Sequence, residues 1–333
     1  MTLEPKITSS ELGTLWMTYQ QKTMLYSMLQ YFIAKAENPE SKEIMSNLAN
    51  GMDTYIKRMK AIFQEEGAVV PEGYSEKDVH IDAPTLYENY FDIHFTRVMK
   101  AVSMGMHTLH LGMVYRKDLL TLTQELTSIT QQYFIKCTNY LIEKGVLVRP
   151  PHVTMPTEIE FATKQDYLKG IKFGEKRSLT TVEVAHLYHA IENNVIGLNL
   201  MKGFAQTAQN DDIKKYFTRG IKLSKQLIEN FSKVLTKGDI QVPSIEGGTV
   251  TTSVVPPFSD KMMMYCTSLL CSFSLGSNAF GTSFSLRNDI PPVVMLGAKD
   301  IFDFATDGAK LLVKHGWMEE APKMEDRKNL INK

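Results

Sequence analysis

The sequence predicts an all-α protein made of two similar four-helix bundles in tandem. Three observations predict it. Apolar residues recur with the 3.6-residue period of a helix down most of the chain, and no alternating β-branched run competes. The second half replays the first: Glu11, Leu15 and Pro71 match Glu183, Leu187 and Pro243, each 172 positions later. Gly105, Arg116, Asp118, Gly145 and Pro151 match Gly276, Arg287, Asp289, Gly316 and Pro322, each 171 positions later. An ordered series with one net deletion marks a duplicated unit. Finally, connections alternate between a few residues and about 17, the longer ones at 67–83 and 238–256.

The first half opens with the stripe Leu12, Leu15, Tyr19, Tyr26, Leu29 and Ile33, and Ser9-Ser10-Glu11 reads as its N-cap. Asn38-Pro39 breaks the chain and starts a second stripe, Ile44, Leu48, Met52, Tyr55, Met59 and Ile62, with Pro39 suited to a first helical position. The third stripe is Phe91, Phe95, Val98, Val102, Met106, Leu109 and Met113; the fourth is Leu119, Leu122, Leu126, Ile129, Tyr133 and Tyr140. Gly145 ends it as a C′ glycine. In the second half Thr180 and Glu183 form a capping box before Val184, Leu187, Ile191, Leu198 and Ala205. Asn210-Asp211 precedes Ile213, Phe217, Leu227, Phe231 and Val234, and two more helices follow at about 258–286 and 289–315. Pro291 and Pro292 fall in a first turn, where missing amide donors cost little, and Gly316 ends the last helix.

A helix of about 27 residues is about 40 Å long, and 17 extended residues reach about 55 Å. The long connection can therefore run the full length of its bundle and start the third helix at the far end, the single-crossover topology of ferritin-like bundles. The expected organisation is a first bundle at 1–148, a linker at 149–178 with a short helix near 158–167, a second bundle at 179–320 and a tail at 321–333.

Composition bounds the partners. Lys plus Arg and Asp plus Glu are equal at 37 each, so no net field draws the chain to nucleic acid or an anionic membrane. Lys169, Lys172, Lys176 and Arg177 form the one local basic run, read as a solvated linker. Met1 to Ser10 is polar, no run approaches the roughly 18 apolar residues of a membrane helix, and a cytoplasmic address is expected. Cys137, Cys266 and Cys271 lack metal-ligand spacing and fit small core residues.

Several segments are distinctive: Ser9-Ser10-Glu11-Leu12-Gly13-Thr14-Leu15-Trp16, the linker from Gly145 through Arg149-Pro150-Pro151, Phe173-Gly174-Glu175-Lys176-Arg177 and Glu183-Val184-Ala185-His186-Leu187. Pro257-Phe258-Ser259-Asp260-Lys261-Met262-Met263 and His315-Gly316-Trp317 follow near the end. Together they resemble, over essentially the whole chain, domain-of-unknown-function family 3231 of endospore-forming bacilli. The resemblance implies two ferritin-like repeats, a cytoplasmic or spore-associated protein and a loose link to spore-coat proteins, and no established reaction.

A dinuclear ferritin-type metal site needs Glu on two helices and Glu-x-x-His on two more. Glu183-x-x-His186 is the one such motif; the first half has Glu11 and Thr14 in its place. Glu229 faces His186 or His189 if the second helix is turned suitably, and its counterpart is Lys57. Iron, manganese or zinc would therefore bind at Glu183, His186, Glu229 and His189, while an incomplete ligand set favours a non-catalytic structural or binding protein with no cofactor. His107 and His110 are also spaced i, i+3 and should lie near Glu11 in a crossover bundle. Met262-Met263-Met264 and the methionines of the third helix read as core filler. Ser268, Ser272, Gly276, Ala279 and Ser283 form a small-residue face that admits close approach of a helix, within the bundle or in a homo-oligomer or spore-coat assembly. Walker, dinucleotide and nucleophile-elbow motifs are absent from the sequence.

Overall fold

The computed structural model describes residues 5–163, 165–169, 176–243 and 247–331; Gly170, Lys172 and Phe173-Gly174-Glu175 of the linker lie outside them. The first half consists of α1 (Ser9–Lys35), α2 (Pro39–Glu65), α3 (Phe91–Leu111) and α4 (Lys117–Glu143). The second consists of α5 (Thr181–Thr207), α6 (Asp211–Thr236), α7 (Asp260–Phe284) and α8 (Ile290–Lys314), and a short α9 (Arg327–Ile331) lies in the tail. The fold is all-α with two bundles.

The termini form for local reasons. Thr8, one residue before the expected cap, accepts from the Glu11 amide while Glu11 reaches back to Thr8, and Thr180 and Glu183 repeat this arrangement. Asn38 caps α2 with Pro39 in its first turn. Gly145 and Gly316 sit at φ +71° and +68°, the left-handed conformation that ends a helix at least cost with glycine. The linker differs from expectation: its short helix is only a 3-10 turn at Gln165–Leu168. Residues 151–163 are exposed throughout, and a short helix with no apolar face to bury does not hold in water.

Both long links run the length of their bundles. In the first, the Tyr74 amide donates to Thr23 Oγ1 at 3.2 Å, midway along α1, and the Leu86 amide donates to Tyr31 Oη at 2.8 Å, near its end. α3 then returns, so that its last turn meets the start of α1, where the Ser10 hydroxyl donates to the Met113 carbonyl at 2.9 Å. In the second, Tyr188 donates to the Gln241 carbonyl, Asn199 to those of Gly247 and Gly248, and the Asn210 amide to Asp260 at 2.9 Å.

The two links also pair with each other. β1 (Tyr87–Glu88) and β2 (Thr249–Val250) are antiparallel with Tyr87 opposite Val250, and Val79 bridges Phe258. Val79 and Val250, and Tyr87 and Phe258, are each 171 positions apart, so the same contact is made twice with the halves exchanged. Each link inserts a ring into the other half. Phe258 packs on Tyr31 and Phe32 of α1 with ring centroids 5.2 and 6.0 Å away. Tyr87 reaches α5, donates to the Leu200 carbonyl at 3.1 Å and lies over Gly203. Gly203 stands 172 positions after Tyr31, so glycine leaves the space that the Tyr87 hydroxyl fills. Arg97 of α3 adds an ion pair to Glu192 of α5 at 2.6 Å. One continuous cluster of buried side chains accordingly runs through both halves, with a smaller one around Trp16, Phe63 and Leu122 in the first.

Gly203→Ala places a methyl group where the Tyr87 ring lies, an overpacking that costs typically about 1–3 kcal/mol. Urea unfolding of this variant is expected to show a loss of that size, and an unchanged midpoint would refute the interlock.

Candidate functional site

Glu11 lies at the start of α1, 1% exposed, where it meets the turn between α3 and α4. Oε2 accepts from the Thr8 amide at 2.8 Å and the Thr8 hydroxyl at 2.7 Å; Oε1 accepts from the amides of Tyr115 and Arg116 at 2.9 and 2.6 Å. Burial alone would raise its pKa, but these hydrogen bonds from Thr8, Tyr115 and Arg116 outweigh it and hold the carboxyl at about 2. Arg116 donates through Nε and Nη2 to Asp118 at 2.8 and 2.9 Å and also pairs with Glu66.

The second half repeats the clasp with one addition. Glu183 Oε1 accepts from the Arg287 amide at 3.0 Å, and Arg287 holds Asp289 through Nε at 2.7 Å. Arg177 of the linker grips Glu183 with both Nη atoms at 2.8 and 2.7 Å. Here too burial opposes ionisation and the hydrogen bonds from Arg177, Thr180 and Arg287 prevail, bringing the pKa to about 2. The glutamate, arginine and aspartate repeated between the halves thus tie the first helix to the third-to-fourth turn.

The four candidate metal ligands do not converge. Both oxygens of Glu183 are engaged in the clasp. His186 stacks on Phe284 with ring centroids 6.1 Å apart, and His189 Nε2 lies 3.0 Å from Asn193 Nδ2. Glu229 is on the outer face of α6, 66% exposed and paired with Lys233 at 2.6 Å. The reason is positional: two residues past Leu227, Glu229 is turned about 200° away from the Leu227, Phe231 and Val234 stripe. A helical wheel drawn on that stripe would have placed it outside. Among the described residues, no group of three or more His, Cys, Asp or Glu side chains is arranged to hold a metal ion.

His107 and His110 do come beside Glu11, all three lining a cavity of about 10 Å³ in the first bundle. His110 Nδ1 lies 3.2 Å from the Thr18 hydroxyl, whereas neither ring nitrogen of the fully buried His107 has a hydrogen-bond partner. Sequence reasoning missed the neighbours of His107. Lys22 of α1 and Lys100 of α3 are each 1% exposed in the same interior. Lys22 carried a signal, since it continues the Leu15, Tyr19, Tyr26 stripe, whereas Lys100, two residues from Val98 and from Val102, is turned about 200° from the apolar stripe of its own helix and carried none. Burial lowers the Lys100 pKa to about 8, and burial together with Lys100 lowers that of Lys22.

The small-residue face of α7 is open to solvent. Ser272, Gly276, Ala279 and Ser283 are exposed, nothing lies within 4 Å of where a Cβ on Gly276 would stand, and Phe280 and Phe284 are 67% and 57% exposed beside them. Of the two roles open to this face in the sequence, packing inside the bundle is thereby removed.

Two clasped four-helix units joined through their long links define a tandem-repeat helical-bundle protein. The chain matches the family described as "Protein of unknown function (DUF3231)" over residues 2–159 and again over 169–330, and it belongs to that family. Among solved structures it is similar to a candidate spore coat protein from Bacillus halodurans, at 17% identity over 45% of this chain and 98% of that one, with a TM-score of 0.42. No curated protein matches it.

The clasp carries a pH signature. Each glutamate has a folded pKa near 2, below its ordinary value of 4.5, so its stabilisation is present above about pH 4.5 and is lost as pH falls towards 2. Glu183→Gln is expected to lower stability at pH 7 by about 3 kcal/mol and to flatten the dependence between pH 4.5 and 2 in chemical denaturation. A variant that retains the parent's acid slope would show that the clasp does not titrate.

Proposed function

We propose that this is a non-catalytic structural or binding protein that associates with a second copy of itself through the outer face of α7. The observation that carries the proposal is the chemistry of that face. No charged residue lies between Lys261 and Arg287, although Ser272, Gly276, Ala279, Phe280, Ser283 and Phe284 of α7 are exposed. Small residues at 272, 276, 279 and 283 and rings at 280 and 284 share one side of the helix, so the same patch offers both groove and ridge. A two-fold contact requires that self-complementarity. The chain also holds an internal example, because Phe273 of α7 packs against Gly105 of α3, the counterpart of Gly276. The polar residues repeated between the halves are committed to the clasps, which favours a structural role over a reaction. A place in or around the spore is what the family resemblance implies, and cell fractionation of a sporulating culture tests it: recovery in the spore fraction supports the assignment, and recovery only in the mother-cell cytoplasm overturns it.

Light scattering tests the association. The full chain is expected to have the mass of a dimer, and Phe280→Ser combined with Phe284→Ser is expected to halve it with little change in thermal midpoint, since both rings are exposed. Gly276→Leu should weaken the dimer in the same way without the stability loss of overpacking. A monomeric parent, or an unchanged mass in both variants, would refute self-association.

A further inference from the structure

The second bundle encloses a mostly apolar hollow of about 80 Å³ between α5, α6, α7 and α8, with Val98 of α3 also in its wall. Met201, Leu227, Cys271, Ile301 and Phe304 of the wall are buried, whereas Asn193, Gly197, Leu223, Ser224 and Ser274 are half-buried, so solvent has access to part of it.

The fold does not require this space, because the first bundle fills it. Leu25, Leu48 and Met52 are buried core residues, and Gly197, Gly220 and Ser224 stand 172 positions after them. Lys22 and Lys100, also buried, give way to Asn194 and Cys271. Leu223, Phe273 and Ile301 are larger than their counterparts Gly51, Val102 and Thr130, and the hollow remains. Gly220 has a packing reason, since Met201 and Phe304 lie 3.0 Å from where its Cβ would stand; Gly197 has none, with nothing within 4 Å. Native interiors hold few voids larger than a water, and glycine inside a helix is unfavourable. A hollow kept open by such replacements fits an occupant.

The wall defines the occupant's chemistry. Among the described residues it holds no Asp, Glu, Lys, Arg or His, so a charged group would be buried without a counter-ion. Several of its polar groups are engaged: Asn193 Nδ2 lies 3.0 Å from His189 Nε2, Asn194 Nδ2 donates to the Ala190 carbonyl at 2.8 Å, and Thr267 donates to the Met263 carbonyl at 2.9 Å. The hydroxyls of Ser224 and Ser274 and the two carboxamide oxygens remain, a set that can donate to and accept from one hydroxyl. The volume is about half that of an engineered apolar cavity that takes benzene, which corresponds to a body of about three or four carbons.

We propose that the interior of the second bundle binds one short-chain alcohol, its carbons among Met201, Leu227, Cys271, Ile301 and Phe304 and its hydroxyl on the serine or asparagine side chains of the wall. None of the lining residues belongs to the outer face of α7, so the site stands independently of self-association.

The test uses the full chain with carbon-13 in its methionine methyl groups, 1-propanol as the ligand and propionate as the charged control. The Met201 resonance, identified by its loss in Met201→Leu, is expected to shift saturably with 1-propanol, with a dissociation constant of about 1 mM for so small a ligand, and to ignore propionate. Gly197→Leu restores the side chain of the first bundle; it should abolish the shift and raise the thermal midpoint by about 2–4 °C. If that variant does not fold, xenon decides the matter: the parent should shift the xenon-129 resonance, and 1-propanol should reverse the shift. A Met201 resonance that moves linearly or not at all with 1-propanol, an equal response to propionate, a response that persists in Gly197→Leu, or a xenon shift that 1-propanol leaves unchanged would overturn the proposal.

Discussion

The arrangement depends first on a carboxylate buried at the start of a helix. Glu11 and Glu183 each accept from their own N-cap and from an amide of the turn that starts the fourth helix, 105 and 104 residues further on. A helix start is already the favourable end for negative charge, through its free amides and dipole. The same oxygens therefore satisfy local donors and a distant one, and the long link has to deliver the third helix to a fixed height. The clasp sets where α3 and α7 end; the interlocked links set where they begin.

Between these two ends the halves have diverged. The first keeps an interior with lysines and histidine, while the second has asparagine, cysteine and an apolar hollow at the same height. Divergence of this kind is tolerated when the ends of a helix are held independently of its middle. The outer surfaces differ as well: α6 carries a lysine at five positions, whereas the chain beyond Lys261 carries no charge until Arg287.

Much of the helical order was legible in the sequence because it rests on local rules. The Asn38-Pro39 start, the Thr180 and Glu183 capping box and the glycines at 145 and 316 each act within a few residues. The crossover followed from chain lengths alone. What was not legible depends on partners far along the chain. Two-residue strands carry no pattern, so nothing near Tyr87 announced Val250 as its neighbour. The spacing of Glu183 and His186 suggested a ligand pair, but Arg177 and Arg287 occupy that carboxylate through contacts that the helix period does not encode. Glu229 illustrates the converse, since its outward position followed from the apolar stripe of its own helix.

The exchange of Tyr87 and Phe258 has a consequence for biosynthesis. The first bundle lacks one ring of its core until a residue 171 positions downstream of Tyr87 has been made. At about 5–20 residues per second, the ribosome takes on the order of ten seconds to supply it. During that interval Phe32 and its neighbours are incompletely covered on a nascent chain. The core of the first bundle is therefore closed only once the second link has left the ribosome.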